Sequence, residues 1–230
     1  YGIIVAAYPF SQFFSAPILG QLSDKYGRKK LLFYCLAVTS ISYFLAVVGI
    51  RQLNFTILLV SRILGGLMGG NIAIAQAVAA DITEKKDRTR VYGLLGAAFG
   101  IGFILGPYIG GKLSDSSLVS WFRIDTPFLM AGFLSLISVL VTLFFLPETH
   151  PYEKRPLHLR FWQSIVDIKN AASHKRLNTL FFIGFLFQFA FTMFVSFFGV
   201  LLFKRYDFTQ VSIGEYFAFA GLWIAVTQIF

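Results

Sequence analysis

Charge is what this sequence has least of. Lys, Arg, Asp and Glu make up 13% of its 230 residues, about half the share of an ordinary soluble domain. A water-facing surface cannot be assembled from so few ionised groups. Acids are scarcer than bases, 11 Asp and Glu against 20 Lys and Arg. The single cysteine, Cys35, excludes an internal disulfide framework; in its apolar run it reads as a small packing residue. The three histidines, His150, His158 and His174, match no metal-ligand spacing. There is no G-x-x-x-x-G-K-S/T loop, so no nucleotide is implied. No hydrolytic triad and no paired catalytic side chains at one membrane depth are visible, so the sequence does not read as an enzyme.

What is abundant is apolar sequence, 57% of the chain, with 28 Phe. Uncharged stretches run over Leu31–Ile50, Val91–Gly111, Thr126–Leu146 and Leu177–Phe203. A bilayer core of about 30 Å needs about 20 apolar residues in a helix, so each is long enough to cross. Phe55–Ala80 carries one charge, Arg62, and Tyr1–Ser23 and Tyr216–Phe230 complete seven predicted spans. The expected fold class is an all-α membrane protein. Tyr1 already lies in an apolar run, with no charged n-region and no small-residue cleavage site, so Tyr1–Ser23 does not read as a signal peptide. With both ends inside apolar runs, the chain reads as a piece incomplete at each end.

The net charge of +9 would fit a nucleic-acid partner, but its distribution reads as membrane topology. Fourteen Lys and Arg fall in alternate loops, at 25–30, 85–90 and 154–176. Five fall in the others, Arg51, Lys112, Arg123, Lys204 and Arg205. Cytoplasmic loops carry the basic excess, which predicts loops 24–30, 81–90 and 147–177 in the cytoplasm. The expected organisation is a block of five spans over 1–146, a cytoplasmic linker over 147–177 and a second block over 178–230. Within the linker, "LRFWQSIVDIKNAA" sets Phe161, Trp162, Ile165, Val166 and Ile168 toward one side, as in a helix lying in the interface. There is also an echo: "PILGQLSD" (Pro17–Asp24) returns as "PYIGGKLSD" (Pro107–Asp115). Related segments of opposite orientation are what an inverted-topology repeat leaves.

Three motifs then narrow the reading. "GQLSDKYGRKKLL" resembles the loop signature between the second and third helices of the major facilitator superfamily; Gly20, Leu22, Asp24, Gly27, Arg28, Lys29 and Leu32 match. "RILGG" is similar to its fourth-helix pattern at Arg62 and Gly66, with Gly65 where Gln is usual. "GFILGPYIGG" matches, at Gly102, Gly106, Pro107, Gly110 and Gly111, the fifth-helix pattern g-x-x-x-G-P-x-x-G-G of the drug/proton antiporter branch, which includes the tetracycline exporters. "LPET" after the sixth span resembles the usual ending there. The resemblance implies a helical bundle with inverted 3+3 repeats, of which this chain covers helices two to eight of twelve. It also implies a bacterial inner membrane and a monomer at full length, driven by the proton gradient without other cofactors.

Candidate site residues follow. The cytoplasmic gate motif is Gly20, Leu22, Asp24, Gly27, Arg28 and Lys29, with Asp81, Glu84, Arg88 and Arg90 as gate partners; Asp81 or Glu84 is expected to pair with Arg28 or its neighbours. A solvated basic turn is the plain alternative. Arg62 is the one charge deep in a span, which favours a cavity or a partner, against snorkelling to the outer headgroups. Gly66, Gly69, Ala73 and Gln76 share its face at 100° per residue; the resemblance links this Arg to proton transfer. The glycines of the fifth span read as close-packing points, and Pro107 as a bend. Phe181, Phe185, Gln188, Thr192 and Gly199 form one stripe, suited to an amphiphilic organic ligand or to helix packing. Glu215 reads as interfacial. The function expected is proton-coupled export of a small organic solute or drug by alternating access. The rivals are an uptake symporter for a sugar or organic acid on the same fold, and a non-transporting membrane sensor. A small molecule, protons and lipid are the expected partners; nucleic acid is not.

Overall fold

A computed structural model describes residues 2–150, 165–166, 169–170 and 178–229, with side chains to 223. Eight long helices carry it: α1 (Gly2–Tyr26), α2 (Arg28–Arg51), α3 (Phe55–Leu67), α4 (Asn71–Asp81), α5 (Arg88–Leu113), α6 (Thr126–Phe145), α7 (Asn178–Tyr206) and α8 (Gln210–Ile229). With α3 and α4 taken as one span, six stretches are long and apolar enough to cross a membrane. No strand occurs among the described residues. The all-helical membrane architecture expected from hydropathy is thus present, because in hydrocarbon only a helix or a closed barrel satisfies its own backbone.

Besides α2 and α3, which follow each other in the chain, the main packing partners are not sequence neighbours. α2 lies against α6, α1 against α3, and α5 against α8. In lipid the apolar faces gain little from meeting each other, so small and hydroxylic residues make these seams. Between α2 and α6, the Ser40 hydroxyl donates to the Gly132 carbonyl at 2.9 Å, and Ser135 to the Leu36 carbonyl at 3.0 Å. Phe44 fills the space where Gly132 has no side chain, its nearest ring atom 3.0 Å from where a Cβ would stand. A small buried cluster of Leu19, Leu32, Cys35 and Ile74 ties α1, α2 and α4 together. Cys35 is fully buried there, the packing role its apolar setting implied.

One span is not continuous. The helix predicted over Phe55–Ala80 breaks at Met68–Gly70. The four glycines Gly65, Gly66, Gly69 and Gly70 weaken the helix, and α1 donates to carbonyls at the break. Gln12 Nε2 donates to the Gly69 carbonyl at 2.8 Å, and Ser15 Oγ to the Gly66 carbonyl at 3.3 Å. Close approach is essential here: a Cβ on Gly66 would run into the Tyr8 carbonyl and lie 2.9 Å from Ser11 Cβ.

Ion pairs sort the helix ends into two sets. One end gathers the termini of α1, α4 and α6 around the start of α2, through Arg28, Asp81 and Glu148. The opposite end holds Asp125, 1% exposed, against Arg51 Nε at 2.7 Å and Arg123 Nε at 3.5 Å. The echoed segments close α1 and α5, which end at opposite ends of the bundle. Of the interfacial helix proposed over 159–172, residues 165–166 and 169–170 are helical and exposed; the rest, with His158 and His174, lies outside the described residues.

Candidate functional site

The charged segment Gly20–Lys30, where α1 ends and α2 begins, is one side of a charged clasp. Gly27 turns the chain between α1 and α2 with φ +98° and ψ 141°, a conformation essentially restricted to glycine. That turn aims the first N–H groups of α2 at the end of α6. Glu148 takes them: its Oε1 accepts from the N–H of Arg28 at 2.8 Å and of Lys29 at 3.4 Å, and locally from the His150 N–H, 3.2 Å away. A carboxylate at a helix N-terminus satisfies orphan donors and meets the positive end of the dipole.

Arg28 then reaches across. Its guanidinium pairs with Asp24, Nη1 to Oδ1 3.3 Å, and with Asp81 at the end of α4. The Arg28 side chain is 12% exposed and that of Asp81 26%, so the pair is shielded more than a surface salt bridge. Thr149 Oγ1 donates to Asp81 Oδ2 at 3.3 Å. Four helix ends are joined in one network. Of the gate residues read from the sequence, Asp24, Gly27, Arg28, Lys29 and Asp81 meet here. Gly20 and Leu22 lie on the last turns of α1, where Leu22 packs on the buried cluster.

Three others do not join. Glu84 pairs locally with Lys86 at 2.9 Å, both side chains 75% exposed, a contact worth about 0–1 kcal/mol. Arg88 donates to the Ala80 carbonyl at 3.3 Å and so caps α4. Arg90 is exposed on the first turn of α5. Glu148 was missing from the sequence-derived set, although its "LPET" context was the available signal.

Arg62 sits on α3 with its guanidinium carbon 4.9 Å from the centre of the Phe128 ring of α6. Its buried Nε–H has no hydrogen-bond acceptor among the described residues. A guanidinium held by an aromatic face, with a donor unspent, is poised for an anionic group. The stripe predicted beneath it divides in two. Gly66 and Gly69 are spent on contact with α1, where a Cβ on Gly69 would stand 2.9 Å from Gln12 Cδ, and Ala73 and Gln76 are exposed. The break at Met68–Gly70 interrupts the 100° periodicity on which that face was drawn.

In α5 the expected close packing occurs at one glycine of the motif. A Cβ on Gly111 would lie 2.7 Å from the Gln210 carbonyl of α8, whereas Gly102, Gly106 and Gly110 meet nothing described within 4 Å. Gly102, Gly106 and Gly110 instead border a crevice of about 420 Å³ facing α6. Pro107, Gly110 and Gly111 border a second, of about 430 Å³, also lined by Phe128, Val195 and Phe217. On α7, Gln188 Nε2 donates to Thr192 Oγ1 at 3.4 Å, both exposed on a face that nothing described covers. No group of three metal-binding side chains occurs among the described residues. Gln12 and Ser15, which bridge α1 to the broken span, escaped the sequence reading because a lone Gln or Ser in an apolar run carries no spacing signal.

The charged clasp, the intramembrane Arg and the Gly-Pro helix lie in family order, and the match to the Major Facilitator Superfamily model runs over residues 1–230. The chain belongs to the Major Facilitator Superfamily. This major facilitator chain is 33% identical, over 230 residues, to the class C tetracycline resistance protein of Escherichia coli, covering 100% of itself and 56% of that protein. It is 30% identical over 232 residues to multidrug resistance protein 2 of Bacillus subtilis (strain 168), covering 99% and 56%. Among solved structures, the human organic anion transporter MFSD10 (TETRAN) superposes with a TM-score of 0.72 at 28% identity, over 96% of this chain and 54% of that one. The chain thus spans about half the length of the relatives it matches.

Proposed function

We propose that the protein carrying this major facilitator chain is a proton-coupled secondary transporter that exports a small amphiphilic organic solute by alternating access. The observation that carries the reading is the complete Gly102–Gly111 pattern, seated on α5 where it meets α8. The tetracycline-resistance and multidrug-resistance relatives support export. In this reading the clasp of Arg28, Asp81 and Glu148 braces the cytoplasmic end of the first block, the rigid wall against which the cytoplasmic mouth shuts and reopens, and Arg62 takes part in proton or solute binding. The driving force is the proton gradient; the protein is not an enzyme and works as a monomer. The bacterial relatives support a bacterial inner membrane, with loops 24–30, 81–90 and 147–177 cytoplasmic.

The test is accumulation of a fluorescent dye or tetracycline in cells making the whole protein, with and without an uncoupler. Lower accumulation that the uncoupler abolishes is the expected result. Proton-dependent filling of the cells overturns export in favour of an uptake symporter. A ligand-induced thermal shift without any flux favours a sensor. One observation favours a narrower solute class: the unspent Nε–H of Arg62 beside Phe128 fits an aromatic or amphiphilic anion, in keeping with the organic anion transporter among the structural relatives. Competition of efflux by organic anions but not by matched cations tests it.

A further inference from the structure

The contact between α5 and α8 has a direction. On α5 one face runs through Gly111, Pro107, Ile104, Gly100, Gly96 and Gly93, spaced by three and four residues. Its outer half is shut against α8. Gly111 stands against the Gln210 carbonyl, Gly214 against the Pro107 carbonyl, and a Cβ on Gly221 would lie 2.8 Å from Ile104 Cγ1. The inner half meets no described residue: Gly100 is partly exposed, Gly96 and Gly93 are exposed, and nothing described lies within 4 Å of a Cβ on any of the three. The seam therefore closes toward the end where α5 stops and α8 begins, the end that the charge bias assigns to the outside.

One ion pair caps that closed end. Lys112 Nζ lies 2.8 Å from Glu215 Oε1, with the side chains 33% and 51% exposed. The ammonium also lies 5.5 Å from the centre of the Tyr108 ring, one turn back on α5. Lys112 belongs to the first block of helices and Glu215 to the second, separated by the linker over 147–177. A pair within one block would survive any rocking of the blocks. This one cannot, because the outer ends of α5 and α8 must part for the outer mouth to open.

We propose that Lys112 and Glu215 form an outer latch, made when the outer mouth is closed and broken in each passage to the outward-open form. They thereby set how often the outer mouth opens. This rests on the alternating-access reading above. It also revises the role expected of Glu215: it is interfacial, and its charge is used across the seam. Lys112 and Glu215 are positioning residues, with no contact to solute required.

The test places nitroxide labels on Ser116→Cys and Lys204→Cys, both exposed at the outer end, in the whole protein freed of other reactive thiols. Pulsed electron resonance then reads the distance distribution in lipid. Lys112→Glu and Glu215→Lys are each expected to raise the long-distance fraction about two- to five-fold, the range for a partly exposed ion pair. The double exchange, Lys112→Glu with Glu215→Lys, is expected to return it. Lys112→Gln, which removes the pair without repulsion, keeps the measurement possible if a reversal fails to fold. Unchanged distributions in the single variants overturn the latch, as does a double exchange that restores nothing. Because the distance needs no solute, the two readings fail separately. A shift without any flux keeps the latch and removes export; export with unmoved distances removes the latch alone.

Discussion

Gly27 shows how much one residue decides. Its φ of +98° and the Glu148 carboxylate lodged against its α-carbon leave no place for a side chain. Gly27→Ala is expected to cost about 1–3 kcal/mol of backbone strain and to unseat Glu148, lowering both melting temperature and transport. A melting curve within one degree of the parent would contradict that account. Arg62 makes the matching case for side-chain chemistry. Its planar guanidinium lies over Phe128, a geometry an ammonium does not reproduce. Arg62→Lys should leave membrane insertion and melting nearly unchanged while reducing transport at least tenfold. Equal transport by the lysine variant would reduce Arg62 to a point charge.

At the scale of the helix, identical residues divide by where they stand. Gly66 of α3 presses on the α1 backbone, while Gly106 of α5 faces open space. Gly66→Ala forces α1 and α3 apart and is expected to destabilise by about 1–3 kcal/mol, the usual range for overpacking. Gly106→Ala should be neutral or slightly stabilising, since alanine favours a helix by about 0.5–1 kcal/mol over glycine. Thermal unfolding in one detergent compares them directly. If Gly106→Ala keeps its stability and loses efflux, the motif glycine serves transport rather than packing. The broken span teaches the same lesson. Phe55–Asp81 has the length of one crossing helix, yet it folds as two pieces, broken at a glycine-rich turn that Gln12 and Ser15 of α1 brace by donating to the Gly69 and Gly66 carbonyls.

Across the described molecule, charges other than Arg62 stand toward the two ends, and several join helices there. Arg28 and Asp81 belong to α2 and α4, far apart in the chain. Reversing one member leaves two like charges in a shielded site, so Arg28→Asp or Asp81→Arg alone should abolish most transport. The exchange of both is expected to recover a measurable part, read as uncoupler-sensitive efflux. If the exchange recovers nothing while the protein still inserts and melts normally, the pair has no role in the gate. At the opposite end Asp125 with Arg51 and Arg123, and Lys112 with Glu215, do the corresponding joining. The membrane class, the positions of most spans and the family were legible in the residues alone. Hydropathy over some twenty residues, loop charge and short motifs are local properties, written into contiguous sequence. Only the tertiary structure decided that Glu148 completes the clasp, that Gly66 and Gly111 pack while Gly102 and Gly106 do not, and that Lys112 meets Glu215. Those outcomes depend on which helix lies beside which, and in lipid that choice is made by small residues and single hydrogen bonds between segments distant in sequence.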